Sequence, residues 1–220
     1  MITNSKVYLK NTLYSSVFLM LTTFSGCKKD DVVVKGCGGT VVETFDEVTF
    51  LTARTHYSFV FLSDEYGIIQ PCDGDFVSDF IEQTLGLEHW VGYEGKWVTT
   101  SGNLYLPRRN SEPGVSETVS EMMNRKINLA TEPYQPKDII IEVIESEQNG
   151  VQGYGYFIEY QGFRIEQTII PAAEGLQVFK TPEEALIIAY FVAYKLKHHS
   201  HDFPSIQPED LLFFNIDHEY

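Results

Sequence analysis

The chain has 220 residues and carries 31 Asp and Glu against 16 Lys and Arg, a formal net charge of −15. A surface this acidic repels phosphate backbones and anionic headgroups, which argues against nucleic acid and against a polybasic membrane contact, while cationic partners and divalent cations stay open. With 43% hydrophobic and 14% aromatic residues, the chain can bury one large core or two small ones, so disorder is not its whole-chain state.

Lys6 and Lys10 precede an apolar run from Leu13 to Phe24 that closes on Ser25, Gly26 and Cys27. A basic start, a short apolar core and small residues before a cysteine are the layout of a secretory signal with a cleavage site. About 20 apolar residues are needed to span a bilayer, and this core is shorter and interrupted by Ser15, Ser16, Thr22 and Thr23. The segment resembles the lipobox of bacterial lipoproteins. The resemblance implies removal of residues 1–26 and lipidation of Cys27, whose acyl chains would anchor the protein at about 0.8 kcal/mol per buried methylene. Lys28, Lys29, Asp30 and Asp31 then resemble the lysine and two acidic residues that mark surface-exported lipoproteins of Bacteroidota; a solvated tether over residues 27–36 is the plainer reading. Loss of the leader removes Lys6 and Lys10 and no acid, leaving 14 basic against 31 acidic side chains, a net of −17.

In an oxidising compartment the two remaining cysteines, Cys37 and Cys72, form an even pair. Joined, they close a loop of roughly 36 residues, worth about 3–4 kcal/mol in the chain-entropy model; the alternative is two buried thiols. Between them, Tyr57, Phe59 and Phe61 alternate with Ser58 and Val60, a period of two that predicts strands. Asp64 to Gly67 reads as a turn, Ile68 and Ile69 as a short strand stopped by Pro71, and Asp75 as the cap of a short helix over 76–85. Further strands are expected over 89–99, with a bulge at Gly92 or Gly95, and over 103–106 and 125–130. Residues 110–120 read as a loop. So many short strands hide their edges best in a small closed barrel of the OB-like kind. Ile69-Gln70-Pro71-Cys72 and Val91 to Lys96 resemble a small β domain recurring in Bacteroidota lipoproteins, which supports the barrel without supplying an activity.

Pro133 and Pro136 bar helix and central strand and mark a boundary. Beyond them, Ile139 to Ile144 predicts a strand, Asn149-Gly150 a turn, and Tyr154 to Tyr160 a second strand joined through Gln161-Gly162 to a third, in a two-residue hairpin. Thr181-Pro182-Glu183-Glu184 is a capping box with proline at the first helical position. The helix it starts, 182–197, is apolar on nearly every side, so its surplus faces must meet the barrel, the C-terminal segment or a partner. Gly153 to Tyr156, Gln167, Ile170-Pro171, Phe179, Thr181 to Ala185 and Pro208 to Leu211 together resemble the uncharacterised family catalogued as domain of unknown function 4907, over about residues 138–216. The resemblance implies an envelope lipoprotein domain and no known chemistry.

Histidines 198, 199 and 201 cluster at the helix end, where they and Lys195 and Lys197 complement the helix dipole; adjacent helical residues diverge by about 100° and no HExxH spacing is present, so no metal is expected there. Asp73, Asp75 and Asp79 lack the spacing of a calcium loop. No GxSxG, phosphate loop or dinucleotide fingerprint occurs. Trp90, Tyr93 and Trp97 are candidates for a carbohydrate or peptide surface, with strand packing as the bland alternative.

The expectation is therefore an α+β protein: a leader at 1–26, a lipidated tether at 27–36, an OB-like barrel with one short helix at 37–133, and a small antiparallel sheet packed on one long helix at 134–220. The expected role is a lipid-anchored cell-envelope protein of the outer membrane, with display at its surface implied by the likeness of Lys28 to Asp31, acting without catalysis as an interaction or assembly module. Its partners would be the membrane through the lipid and another envelope protein, with no nucleic acid and no cofactor. The alternatives are an envelope hydrolase with an unrecognised carboxylate or metal site, and a surface glycan or peptide binder.

Overall fold

β-Branched and aromatic residues dominate the first half of the chain, and in the computed structural model they form five strands: β1 (Val41–Arg54), β2 (Phe59–Ser63), β3 (Gly67–Pro71), β4 (Trp97–Tyr105) and β5 (Val119–Leu129). The structure describes residues 37, 40–55, 59–72, 80, 82, 94–105, 119–173, 175–198 and 204–216. The strands close a barrel in the order β1-β2-β3-β5-β4. Every pairing is antiparallel except β3 with β5, which is parallel. This is the OB-like arrangement expected from the sequence.

β4 begins at Trp97, because Glu94 and Gly95, expected inside a strand over 89–99, form a turn with Gly95 at φ 70°; strand boundaries differ from the expected ones in two further places. Thr99 and Asn103, expected in separate strands, belong to one continuous strand, β4, whose pairing with β5 continues across a register shift between Ser101 and Gly102. A Cβ at Gly102 would collide with the Met123 carbonyl, so glycine lets the two strands approach there. Second, β5 starts at Val119, inside the stretch read as a loop, because parallel pairing with Ile68 to Pro71 supplies its hydrogen bonds. Of the expected short helix, Phe80 and Glu82 are helical; its other residues, with Gly92, lie outside the described ones.

Alternation along the strands builds two cores. Phe50, Phe59, Phe61, Ile69, Val98 and Met122 fill the barrel interior with Phe45, Phe80, Leu104 and Ile127. Leu51, Ala53, Val60, Leu62, Ile68 and Val119 point the other way, into a second cluster shared with the rest of the chain. β2 is consequently buried at all five positions.

The second half supplies the other side of that cluster. β6 (Ile139–Gln148), β7 (Val151–Tyr160) and β8 (Phe163–Gln167) form an antiparallel meander. Its two turns, Asn149-Gly150 and Gln161-Gly162, each carry two consecutive positive φ angles, 53° and 81° and then 49° and 85°, the conformation that matches strand twist in tight hairpins. α1 (Pro182–His198) begins on the expected capping box: the Glu184 amide donates to Thr181 Oγ1 at 3.2 Å, and Glu184 Oε2 accepts from the Thr181 amide at 3.3 Å and the Lys180 amide at 2.8 Å. α2 (Pro208–Phe213) follows.

α1 lies between the meander and the barrel. It contacts β6 and β7 as well as β2 and β3, and Phe191 meets Phe214 with ring centroids 5.3 Å apart. Its surplus apolar faces are thus covered by the barrel and the C-terminal segment. In OB barrels the face of strands 2 and 3 takes oligonucleotides or oligosaccharides; here α1 occupies it. Gly67 (φ 70°) permits the close approach, since a Cβ there would stand 2.7 Å from the Tyr194 ring.

Candidate functional site

Where α1 crosses the barrel, polar residues gather at both of its ends. At the C-terminal end, Lys197 Nζ donates to Asp64 Oδ2 at 2.9 Å and to Asp138 Oδ1 at 3.0 Å. One ammonium thereby ties the β2–β3 turn, the approach to β6 and the last turn of α1. Tyr190 donates its hydroxyl to the Tyr134 carbonyl at 3.1 Å, and the Trp97 ring lies 5.2 Å from that of Tyr190 and 6.4 Å from that of Tyr134. Lys197, Asp138 and Tyr134 also line a cleft of about 490 Å³, together with Glu65, Lys137, Tyr160 and His198.

Burial opposes the charge on Lys197, but its hydrogen bonds to Asp64 and Asp138 outweigh this and hold its pKa above the ordinary lysine value. The Lys197 hydrogen bond holds Asp138 below the ordinary carboxylate value against partial burial. Burial, then the Asp64 charge, pushes Tyr134 and Tyr190 up, and burial with Glu65 and Glu43 pushes Tyr66 up to about 12. The raised lysine and the lowered carboxylate both favour the charged pair, which ties α1 to the approach to β6. Asp64 Oδ1 is buried with no hydrogen-bond partner among the described residues.

At the other end, a cleft of about 460 Å³ is lined by Glu94, Lys96, Lys180, Glu183, Ile187 and Phe214, among others. Arg54 pairs with Glu94 at 3.8 Å. Behind α1, Lys195 and Asp210 form an ion pair at 3.3 Å with side chains 6% and 0% exposed. Lys195 also donates to the Ser205 carbonyl at 2.8 Å and sits 4.4 Å from the Phe191 ring centre, while Asp210 Oδ2 accepts from the Gln207 amide at 3.0 Å. A charge so deeply buried survives only with such partners.

Cys37 and Cys72 are joined in a disulfide with Cα atoms 5.2 Å apart, clipping the segment before β1 to the end of β3. Their sulfurs and a carboxylate oxygen of Glu121 all lie within 4.8 Å of one another. Glu121 Oε2 is buried and without a hydrogen-bond partner among the described residues.

Of the residues singled out in the sequence, Trp97 is half-buried on β4 and packs against the tyrosines of α1 and of the segment before β6. His198 stacks on Tyr194 at 4.7 Å. Cys27, Lys28, Lys29, Asp30, Asp31, Trp90 and Tyr93 lie outside the described residues, as do Asp73, Asp75, Asp79, His199 and His201. Sequence reasoning missed the two lysine clamps and Glu121. A lysine three and four residues after the apolar Val192 and Phe191, as Lys195 is, was the available signal for the first; the partners of Lys197, 133 and 59 residues away, leave no local trace.

The fold and these sites define an α+β protein in which an OB-like barrel is capped by a helix-backed sheet. Residues 146–211 match a family model described as a domain of unknown function (DUF4907), a span from the end of β6 to α2. No curated protein and no solved structure matches the chain. Among the described residues, no helix is long and apolar enough to cross a membrane.

Proposed function

We propose that the protein is a lipid-anchored component of the bacterial cell envelope, held at the outer membrane through acyl chains on Cys27 and displaying a non-catalytic interaction or assembly module. The observation that carries the reading is the leader: Lys6 and Lys10, the apolar run from Leu13 to Phe24, and Ser25-Gly26 before Cys27. The Cys37–Cys72 disulfide supports it, since such bonds persist in oxidising compartments. The module reading is supported by the fixed charges at α1, which are spent on holding elements together, and by the use of the barrel's β2–β3 face for internal packing. Lys28 to Asp31 favour display at the cell surface.

Metabolic labelling with a fatty acid, followed by fractionation, tests the anchor. The unmodified chain is expected to carry label and sediment with outer membranes; Cys27→Ala is expected to lose both. A Cys27→Ala chain that fractionates unchanged overturns the reading. Crosslinking in native membranes tests the module, and a stoichiometric protein partner is the expected outcome. Glycan or peptide binding without such a partner would favour a ligand binder instead.

A further inference from the structure

Of the cluster of Cys37, Cys72 and Glu121, the last two are held by the β-ladder, and the disulfide ties Cys37 to them. β3 runs parallel to β5 with Gln70 beside Glu121 and Pro71 beside Met122, and the Cys72 amide donates to the Met122 carbonyl at 2.8 Å. Two of the three donors therefore keep their places whether or not the sulfurs are bonded. Glu121 Oε2, buried beside them, accepts no hydrogen bond from any described residue, and a disulfide carries no proton to offer it. An unpartnered buried carboxylate oxygen costs free energy. Opening the disulfide offers that oxygen a partner that the described residues do not, either as thiol protons or as a cation held by both sulfurs.

We propose that, once reduced, Cys37 and Cys72 join Glu121 as the three protein ligands of a site for a thiophilic divalent cation of the zinc class, its fourth position open to water. A dithiol reductant delivers two electrons and two protons to the S–S bond, leaving two thiols and its own disulfide. The cation then displaces both thiol protons to solvent and binds two thiolates and the Glu121 carboxylate. Zinc takes thiolate sulfur at about 2.3 Å and carboxylate oxygen at about 2.0–2.2 Å, so tetrahedral ligand atoms stand roughly 3.5 Å apart. The three donors, within 4.8 Å of one another, need small shifts once the sulfurs separate. Two sulfurs select zinc-like ions over magnesium or calcium. The cation also restores the link from Cys37 to β3, so the segment before β1 stays clipped in both redox states.

The test uses the full-length chain with Cys27→Ser, in which Cys37 and Cys72 are the sole thiols, reduced by a phosphine so that no competing thiol is present. Cobalt(II) titration is expected to give one bound equivalent with a thiolate-to-cobalt charge-transfer band, displaced by zinc, and the oxidised chain is expected to give none. Glu121→Gln in the reduced chain is expected to weaken binding at least about tenfold. Absence of the band overturns the proposal, and so does an affinity unchanged by Glu121→Gln, which marks an adventitious ion only. If reduction unfolds the chain, circular dichroism on zinc addition decides: recovery of the native spectrum supports the site, and failure to recover overturns it. None of these results depends on where the protein resides.

Discussion

The barrel interior and the core around α1 are built by the same strands in different ways. Inside the barrel, aromatic rings meet edge to face, as with Phe45 and Phe50 at 5.9 Å and Phe59 and Phe61 at 6.0 Å, and the ladder closes on itself. Around α1 the contacts are mostly aliphatic, from Val60, Leu62 and Ile68 on one side and Ile139, Ile141 and Ile158 on the other, and they are supplemented by buried ion pairs. A closed ladder fixes its own register through hydrogen bonds, whereas a helix laid on two sheets has no such ladder and is located by side chains alone. The charges on α1 belong to that task, since each lysine reaches a carboxylate on a different element.

The largest expected effects bear on whether the cores are energetically one. Phe61, fully buried in the barrel, should cost about 3–5 kcal/mol when replaced by alanine, and urea unfolding followed by circular dichroism should still show a single transition, because β2 lines both cores. Two transitions would make the barrel energetically independent of α1. Asp210→Ala should cost about 3–5 kcal/mol by removing the carboxylate that faces the buried Lys195 ammonium; an effect under about 1 kcal/mol in the same assay would show that the remaining contacts of Lys195 suffice to hold that charge.

Smaller effects sharpen the picture at single contacts. Gly67→Ala should cost about 1–3 kcal/mol, since it forces an L-residue to φ 70° and drives a methyl into the Tyr194 ring. A second change, Tyr194→Ala, should recover part of that loss if the clash with α1 is the cause, and a double-mutant cycle reads this directly. Thr181→Ala should cost about 1 kcal/mol through loss of the N-cap, measured as a shift in the urea midpoint.

What could be read from the sequence was what local geometry dictates. The capping box at Thr181 and Glu184 spans three residues, the Gln161-Gly162 hairpin spans two, and the alternation around Phe59 and Phe61 spans one strand, so each left its signature in order along the chain. The α+β class followed from counting such signals. The start of β5 was illegible because its partner is β3, some fifty residues earlier in the chain, and parallel pairing imposes no turn signal. The surplus apolar surface of α1 was legible, but its destination was not: a helix stripe states that a face is buried and does not say against what. Glu121 escaped notice because a carboxylate near a sulfur pair becomes distinctive only when the ladder sets them side by side.

The smallest predicted effect concerns the two carboxylates that share Lys197. Asp138 is depressed below its ordinary value of 3.8 by the Lys197 hydrogen bond, so its contribution is fully present above that value and is lost as pH falls through the lower folded-state pKa. Asp138 is 54% exposed, solvent screens the pair, and the contribution should amount to a few tenths of a kcal/mol. For Lys197 the sign runs the other way: its raised pKa gives stability that is complete below the ordinary lysine value of 10.5 and fades only in stronger alkali. Across the acid range Asp138→Asn should therefore be slightly less stable than the unmodified chain down to about pH 4 and converge with it only as pH falls further. Urea midpoints measured in parallel read the difference. Curves that stay parallel throughout would mean that Lys197 leans on the buried Asp64 alone, and that the barrel turn holds the end of α1 without help from the approach to β6.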